Sequence, residues 1–198
     1  MLRGVSGCRF RLRPKAKMKK QPVKITKRAV LYVTMLCNAS CKFCYYRFES
    51  NRKHTPLEDI KKNLSSFKKD YGIEYVDITG GEPTIHPQII DIVKSSCDIG
   101  IKPTVITNAL KPDVISSLVE NGLEDLLVSI QGFRDGHDEV VGISGAYEKI
   151  IETLTVLKSK SFEFRFNTVL TKYSCRDAEL LAKCQVPIFL DTYSEFFP

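Results

Sequence analysis

Residues 37–44 read Cys37-Asn38-Ala39-Ser40-Cys41-Lys42-Phe43-Cys44 and carry three thiols, with three residues between the first pair and two between the second. The preceding run, 30–36, is apolar and rich in β-branched residues, which predicts a buried strand. The thiols therefore follow the carboxyl end of a strand, where α/β folds place their sites. Three thiolates on one loop can hold three irons of a [4Fe-4S] cube and leave the fourth iron open, as a catalytic metal site requires.

Two other interpretations of the three cysteines stay open at this point. A zinc site would need a fourth Cys or His at short spacing, and His54 is the only nearby candidate. Alternatively, the three thiols are unrelated residues of a buried core, where free cysteine is common.

The cysteine spacing, with the aromatic Phe43 directly before the last thiol, resembles that of the radical S-adenosylmethionine (radical SAM) superfamily. The resemblance implies that Cys37, Cys41 and Cys44 ligate a [4Fe-4S] cluster. It also implies that S-adenosyl-L-methionine (AdoMet) binds the open iron through the amino and carboxylate groups of its methionine moiety, with Phe43 beside the cofactor.

A second motif, Gly80-Gly81-Glu82-Pro83, closes the next predicted strand. Two glycines allow a ligand to approach the backbone and permit positive φ. The adjacent carboxylate can accept hydrogen bonds from an ammonium group. A plain Gly-Gly turn is the alternative. The segment 77–83 resembles the superfamily motif that holds the methionine amino group, which implies that Gly80, Gly81 and Glu82 bind AdoMet.

Three later strand ends supply weaker candidates for AdoMet contact. Asn108 lies in a segment that resembles the superfamily's Thr-Asn-Gly, but Ala109 replaces the glycine and leaves the geometry of that loop open. Ser129 and Gln131 lie in a segment that resembles the one near the AdoMet ribose, with Gln131 where many relatives carry Asp. Asn167 is a candidate for adenosine contact, with an ordinary hydrogen-bonded strand residue as an equal alternative.

The order of apolar runs predicts an α/β fold: an open, partial (β/α)6 barrel with a parallel sheet, whose last strand lacks its helix. The resemblance implies the same architecture. Predicted strands cover 30–36, 74–79, 104–107, 125–130, 162–170 and 186–190, and predicted helices cover 55–71, 87–97, 111–121, 146–158 and 175–184.

The net charge of +7 belongs to the amino-terminal tail. Residues 1–28 hold eleven Lys and Arg and no acid, which leaves 19 basic against 23 acidic residues in the remainder. We therefore expect a disordered tail over 1–28 and one core domain over 29–198. A mitochondrial transit peptide and a start at Met18 are two explanations of the tail. The acidic core argues against nucleic acid as a partner.

The remaining histidines and cysteines are predicted to be structural. The segment around His137-Asp138 resembles peptide-modifying and molybdopterin-type members of the superfamily, but His137 itself is expected on a surface loop. His86 is expected to cap the helix that follows it. Cys97, Cys175 and Cys184 are expected to be small buried residues within helices, so no auxiliary cluster is predicted. Cys8 lies in the tail and has no assignment.

The sequence thus predicts a cytoplasmic radical SAM enzyme with a [4Fe-4S] cluster and AdoMet as cofactors. The resemblance implies that one electron cleaves AdoMet to methionine and a 5′-deoxyadenosyl radical, which abstracts a substrate hydrogen. The expected partners are an unknown peptide, protein or small-molecule substrate, an electron donor such as flavodoxin or ferredoxin, and a possible partner that closes the barrel. No apolar run is long enough for a membrane span. The alternative is a cluster-carrying or partner-binding module without AdoMet turnover.

Overall fold

Six parallel strands form the centre of the fold. The computed structural model describes residues 26–48, 50, 52–170, 177, 183 and 188–192. Within these residues the strands pair in chain order and leave the sheet open between the first and the last. The strands are β1 (Arg28–Thr34), β2 (Tyr75–Gly80), β3 (Lys102–Thr107), β4 (Asp125–Ser129), β5 (Phe164–Leu170) and β6 (Ile188–Thr192). The predicted α/β fold with an open parallel sheet is confirmed.

The described helices lie between the strands, as the alternating pattern predicts. They are α1 (Leu57–Tyr71), α2 (Ile89–Asp98), α3 (Pro112–Glu120), α4 (Asp135–Val141) and α5 (Ala146–Ser159). Helix α4 corrects the sequence analysis, which placed a loop there. The predicted helix over 175–184 lies outside the described residues except for Asp177 and Lys183. No helix in the described ranges combines the length and apolarity that crossing a membrane requires.

The core lies between the sheet and its helices because alternate strand residues point to opposite faces. The helix-covered face carries fully buried residues: Val33, Val76, Ile78, Val105, Leu126 and Val128. The opposite face of β1 is open, with Val30 52% and Tyr32 46% exposed. The sheet therefore has one face that is packed against the helices and an opposite face that is accessible at β1. The carboxyl ends of the strands lie along the edge where these two faces meet.

Helix α1 begins at Leu57, two residues after its predicted start at 55. Pro56 is the residue before the helix, and no side chain caps it. Thr55 instead joins the end of β1, because its N–H donates to the Val33 carbonyl over 2.9 Å and its hydroxyl donates to the Tyr32 carbonyl over 3.2 Å. Gly72 ends the helix with φ +63° and donates its N–H to the Lys68 carbonyl.

The described structure also moves the boundary of the basic tail. Arg28, which the sequence analysis placed in the tail, is the first residue of β1. Its guanidinium contacts the Asp77 carboxylate at 2.5 Å and lies 4.9 Å from the centroid of the Tyr75 ring. The core domain therefore includes Arg28.

Candidate functional site

The three cysteines lie on the loop that follows β1, and all three are half-buried. The Cys37 sulfur accepts the Ala39 N–H over 3.4 Å, and the Cys44 N–H donates to the Cys41 carbonyl over 3.1 Å. Phe43 is half-buried in the turn between Cys41 and Cys44. The backbone thus turns tightly at Cys37–Ala39 and again between Cys41 and Cys44.

The electrostatics of the loop favour protonated, neutral thiols at Cys37 and Cys41 when no metal is bound. Burial raises the pKa of Cys41 to about 12, and the neighbouring Cys37 and Cys44 add to the shift. Burial also raises the pKa of Cys37, against the opposing effect of the Ala39 N–H. A metal that binds here would displace the thiol protons, because metal coordination deprotonates thiols outright. The donor set therefore fits a metal cluster ligated by thiolates.

The described residues do not form a site for a single metal ion. In those residues no group of three or more His, Cys, Asp and Glu side chains is placed to hold one ion. His54, the candidate fourth zinc ligand, instead packs edge-on against His86 with 4.9 Å between ring centroids. A [4Fe-4S] cube distributes its thiolates over different irons, so they need not converge on one point.

The Gly-Gly-Glu turn packs directly against the stem of the cysteine loop. Gly81 N–H donates to the Thr34 carbonyl, and Glu82 N–H donates to the Leu36 carbonyl, both over 2.8 Å. A Cβ atom on Gly80 would overlap the Thr34 carbonyl oxygen, and one on Gly81 would overlap that of Leu36. Both glycines are therefore required by the approach of a neighbouring backbone.

This contact refines the role expected for the two glycines. Gly80 has φ +143°, a conformation that favours glycine, whereas Gly81 is not among the positive-φ residues of the described chain. For Gly81, then, the absence of a side chain matters because of space and not because of φ. The contact also joins the two motifs that the sequence analysis singled out into one unit.

Glu82 is 1% exposed and links the ends of β2 and β3. Its Oε1 accepts the Thr84 N–H over 2.9 Å and the hydroxyls of Thr84 and Thr107 over 2.6 and 2.7 Å. Its Oε2 accepts the Asn108 N–H over 2.7 Å. Burial raises the pKa of Glu82, while these four donors favour the ionised form and lower it. Glu82 is therefore a buried residue that holds the ends of β2 and β3 together, as well as a candidate ligand-binding residue.

Asn108 extends the same network to the cysteine loop. Its side-chain amide donates to the Asn38 Oδ1 over 2.7 Å. Ala109 adopts φ +59°, so the backbone takes the conformation that a glycine would favour here, at a cost of about 1–2 kcal/mol. Its N–H donates to the Thr107 hydroxyl, and its carbonyl accepts the Thr153 hydroxyl over 2.7 Å. These bonds hold the strained turn in place.

The candidates on β4 and β5 lie in two different environments. Ser129 and Asn167 are direct partners in the register of the two strands, and both are half-buried. Gln131 is buried, and its Oε1 accepts the Val169 N–H over 2.9 Å, which fastens the end of β4 to β5. Ser129 and Asn167 are thus the more accessible pair.

Two predictions about single residues are wrong. His137 is 1% exposed on α4, and its Nδ1 accepts the Gln131 N–H over 3.0 Å. Burial lowers the pKa of His137 to about 4, so the ring is neutral near pH 7. Cys97 is exposed and not buried, with its thiol donating to the Gly122 carbonyl over 3.2 Å. His86 lies just before α2, where its Nδ1 accepts the Gln88 N–H, but Gln88 is the residue that precedes the helix and no side chain caps it.

The contact between the cysteine loop and α4 has no counterpart among the sequence-based predictions. The N–H groups of Ser40 and Lys42 donate to the carbonyls of Val141 and Val140 over 3.0 and 2.9 Å. The sequence does contain a signal for helix α4. An acid at residue 135 and a glycine at 142 form a pattern typical of the two ends of a short helix.

Comparisons with known proteins agree with this geometry. A family model described as the Radical SAM superfamily matches residues 31–183. An AdoMet-dependent heme synthase of Methanosarcina barkeri is 29% identical over 144 residues, which cover 71% of this chain and 41% of that protein. A probable GTP 3′,8-cyclase of Sulfurisphaera tokodaii is 31% identical over 144 residues, which cover 71% of this chain and 46% of that protein.

A solved structure extends the similarity to the backbone. The crystal structure of Streptococcus suis SuiB bound to S-adenosylmethionine matches 85% of this chain with a TM-score of 0.71 and 26% identity. The match covers 41% of SuiB. This chain therefore spans less than half the length of these relatives.

The contact between the Gly-Gly-Glu turn and the loop stem yields a first prediction. Gly81→Ala should lower the free energy of unfolding by about 3 kcal/mol or more, because its Cβ would overlap a backbone oxygen that cannot move aside freely. Gly72→Ala is the matched control. Gly72 has positive φ but nothing within 4 Å of its Cβ position, so it should cost only about 1–2 kcal/mol. Urea unfolding measures both, and equal losses would contradict the role assigned to Gly81.

Proposed function

This chain belongs to the radical SAM superfamily, and from that membership we propose that it binds a [4Fe-4S] cluster and AdoMet and initiates radical chemistry on a substrate. The proposal rests on one observation: the cysteine loop is joined by backbone hydrogen bonds to the Gly-Gly-Glu turn. When bound, the cluster and AdoMet together supply one-electron cleavage of the sulfonium, which yields a radical able to abstract a substrate hydrogen.

In this proposal Cys37, Cys41 and Cys44 hold the cluster and leave one iron to AdoMet. The loop backbone presents the thiols, and the cluster would displace the protons that burial holds on Cys37 and Cys41 through their raised pKa values. Glu82 lies close enough to raise the pKa of Cys37 and Cys41 further. Cationic ligands would therefore offset an accumulation of negative charge.

Glu82 is proposed to accept the ammonium group of AdoMet. Its Oε1 accepts three hydrogen bonds and is saturated, whereas the contacts within the described chain give Oε2 only the Asn108 N–H. A carboxylate oxygen has about two acceptor sites, so Oε2 has room for one further donor. The four protein donors fix the carboxylate in place before AdoMet arrives, which lowers the entropy cost of binding.

Ser129 and Asn167 are proposed to contact the adenosyl part of AdoMet. They are register partners at the carboxyl ends of β4 and β5, and each carries a hydrogen-bonding side chain that is only half-buried. Gln131 is proposed to support them by holding β4 to β5. The substrate would approach over the accessible face of the sheet, where Val30 and Tyr32 are partly exposed.

An external reductant would deliver the electron near the loop stem. Arg52 and Lys53 are exposed there, and both contact Met35: the Arg52 Nε donates to its carbonyl, and the Lys53 carbonyl accepts its N–H, each over 3.0 Å. Two adjacent cations favour the approach of an acidic redox protein such as a flavodoxin or ferredoxin.

A second prediction concerns the cluster. Reconstitution without oxygen should load about four irons and four sulfides per chain. Cys37→Ala, Cys41→Ala and Cys44→Ala should each abolish loading, because each removes one iron ligand. Cys97→Ala is the control and should load normally, since Cys97 is exposed and bonded to Gly122. Iron and sulfide analysis measures the outcome.

Two results would overturn parts of this proposal. Tight binding of one zinc with no iron loading would contradict the cluster. Normal loading and AdoMet binding without formation of 5′-deoxyadenosine under a strong reductant would favour a cluster-carrying module without turnover.

A third prediction tests the ammonium site at Glu82. Glu82→Gln should weaken AdoMet binding tenfold or more, because a charge-assisted hydrogen bond contributes about 1.5–3 kcal/mol. The same change should also lower stability, since an amide NH₂ group would face backbone and hydroxyl donors that now bond to the carboxylate. Calorimetric titration of the cluster-loaded protein with AdoMet measures the affinity.

Thr107→Val separates the two effects. It removes one hydroxyl that donates to Glu82 and lowers stability, but it leaves the carboxylate charge in place. We expect AdoMet affinity within a few-fold of the unsubstituted protein. Equal loss of affinity in Thr107→Val and Glu82→Gln would show that Glu82 acts through the fold and not through the ammonium group.

A further inference from the structure

Helix α4 has only seven residues, and its position depends on contacts at its ends. A helix this short is unstable on its own, because nucleation fixes many dihedral angles for few hydrogen bonds. Within α4, His137 is 1% exposed, and its ring lies 6.4 Å from that of Tyr147, measured between centroids. The Asp138 carboxylate accepts the N–H groups of Gly145 and Tyr147 at the start of α5.

His137 attaches α4 to the end of β4. The Gln131 N–H lies 3.0 Å from His137 Nδ1. Because a backbone N–H can only donate, Nδ1 must be the acceptor, and the neutral ring carries its proton on Nε2. Loss of this acceptor would leave a buried N–H group without a partner, which is costly. The bond therefore sets where α4 begins relative to the sheet.

The other end of α4 holds the cysteine loop. The last carbonyls of a helix have no intrahelical partner. Here the Val140 and Val141 carbonyls accept the N–H groups of Lys42 and Ser40, the residues on either side of Cys41. An ion pair between Lys42 and Glu139 adds to the contact, with 2.6 Å between Nζ and Oε1. The middle of the loop thus rests on a helix terminus.

We propose that His137 is a positioning residue that sets the place of the cysteine loop through α4. The contacts run from the end of β4 to the His137 ring, along α4, and from its final carbonyls to Ser40 and Lys42. The significance of this link rests on the proposed function, since the loop matters as the cluster site. The link itself is a property of the polypeptide and can be measured without the cluster.

The side chain at 137 needs both an apolar body and an acceptor at the Nδ1 position. His137→Asn keeps an acceptor oxygen close to that position. His137→Leu keeps apolar bulk and removes the acceptor. Comparison of the two variants therefore separates the hydrogen bond from simple packing.

Amide hydrogen exchange on the full chain before iron loading tests the link directly. We expect the Ser40 and Lys42 amides to exchange about tenfold or more faster in His137→Leu than in the unsubstituted protein, and at nearly the original rate in His137→Asn. Ile115→Val on α3 is the control, since Ile115 is fully buried and its loss lowers stability without touching the loop. Its Ser40 and Lys42 amides should exchange at the original rate.

Gly142→Ala tests the same contact from the other side and replaces His137→Leu should that variant not fold. A Cβ atom on Gly142 would overlap the Ser40 hydroxyl and lie only 3.3 Å from the Ser40 carbonyl oxygen, so the backbone of the loop should shift and lose protection although the bond to His137 is intact. Gly72→Ala controls for the positive φ that both glycines share. Two results would overturn the link. One is that the Ser40 and Lys42 amides keep their protection in both His137→Leu and Gly142→Ala. The other is that these amides exchange as fast in His137→Asn as in His137→Leu.

The iron-loaded protein provides a second readout. Loss of iron to a chelator should be about tenfold or more faster in His137→Leu than in the unsubstituted protein, with His137→Asn and Ile115→Val near the original rate. Failure of the unsubstituted protein to load iron would overturn the proposed function alone, because the exchange result would still decide the link. If the variants load iron normally but lose it to the chelator at rates that follow only their melting temperatures, the positioning role of His137 is overturned.

Discussion

The close approach of two backbones at the ends of β1 and β2 is the constraint on which the site depends. The Gly80-Gly81-Glu82 segment lies against residues 34–36. Two of its backbone N–H groups donate hydrogen bonds of 2.8 Å to carbonyls of that segment. There is no room for a Cβ atom at either glycine. The cysteine loop starts directly after this contact. The close packing of the two backbones therefore sets the point from which the loop leaves β1. The two motifs form one structural unit.

The buried side chain of Glu82 connects this contact to the neighbouring strand of the sheet. Glu82 gathers donors from Thr84, Thr107 and the Asn108 backbone, and so ties the end of β2 to the end of β3. Asn108 then contacts Asn38 in the cysteine loop. A carboxyl group with so few solvent contacts is stable only because several donors satisfy it. The same arrangement that organises three chain segments leaves Oε2 with one donor among the described residues, the Asn108 N–H.

Local patterns allowed much of the architecture to be predicted. Alternating apolar strands and amphipathic helices define a parallel α/β sheet, because crossover connections between parallel strands need a helix. The misassignments share one physical origin. Thr55 is predicted to begin α1 but bonds to β1, and His137 is predicted on a surface loop but is buried on α4. In both cases a partner distant in sequence competes with the local preference, and propensity carries no information about such partners.

The sequence by itself determined which residues are the candidates for the chemistry: three thiols at a spacing suited to one cluster, and a carboxylate beside two glycines after the next strand. Only the tertiary structure decided how they relate. It showed that the glycines make room for the loop stem, that Glu82 is saturated on one oxygen, and that α4 supports the loop around Cys41. The reason is physical. Residue type and spacing specify chemical capacity, whereas close approach, burial and hydrogen-bond partners depend on segments that meet only after the chain has folded.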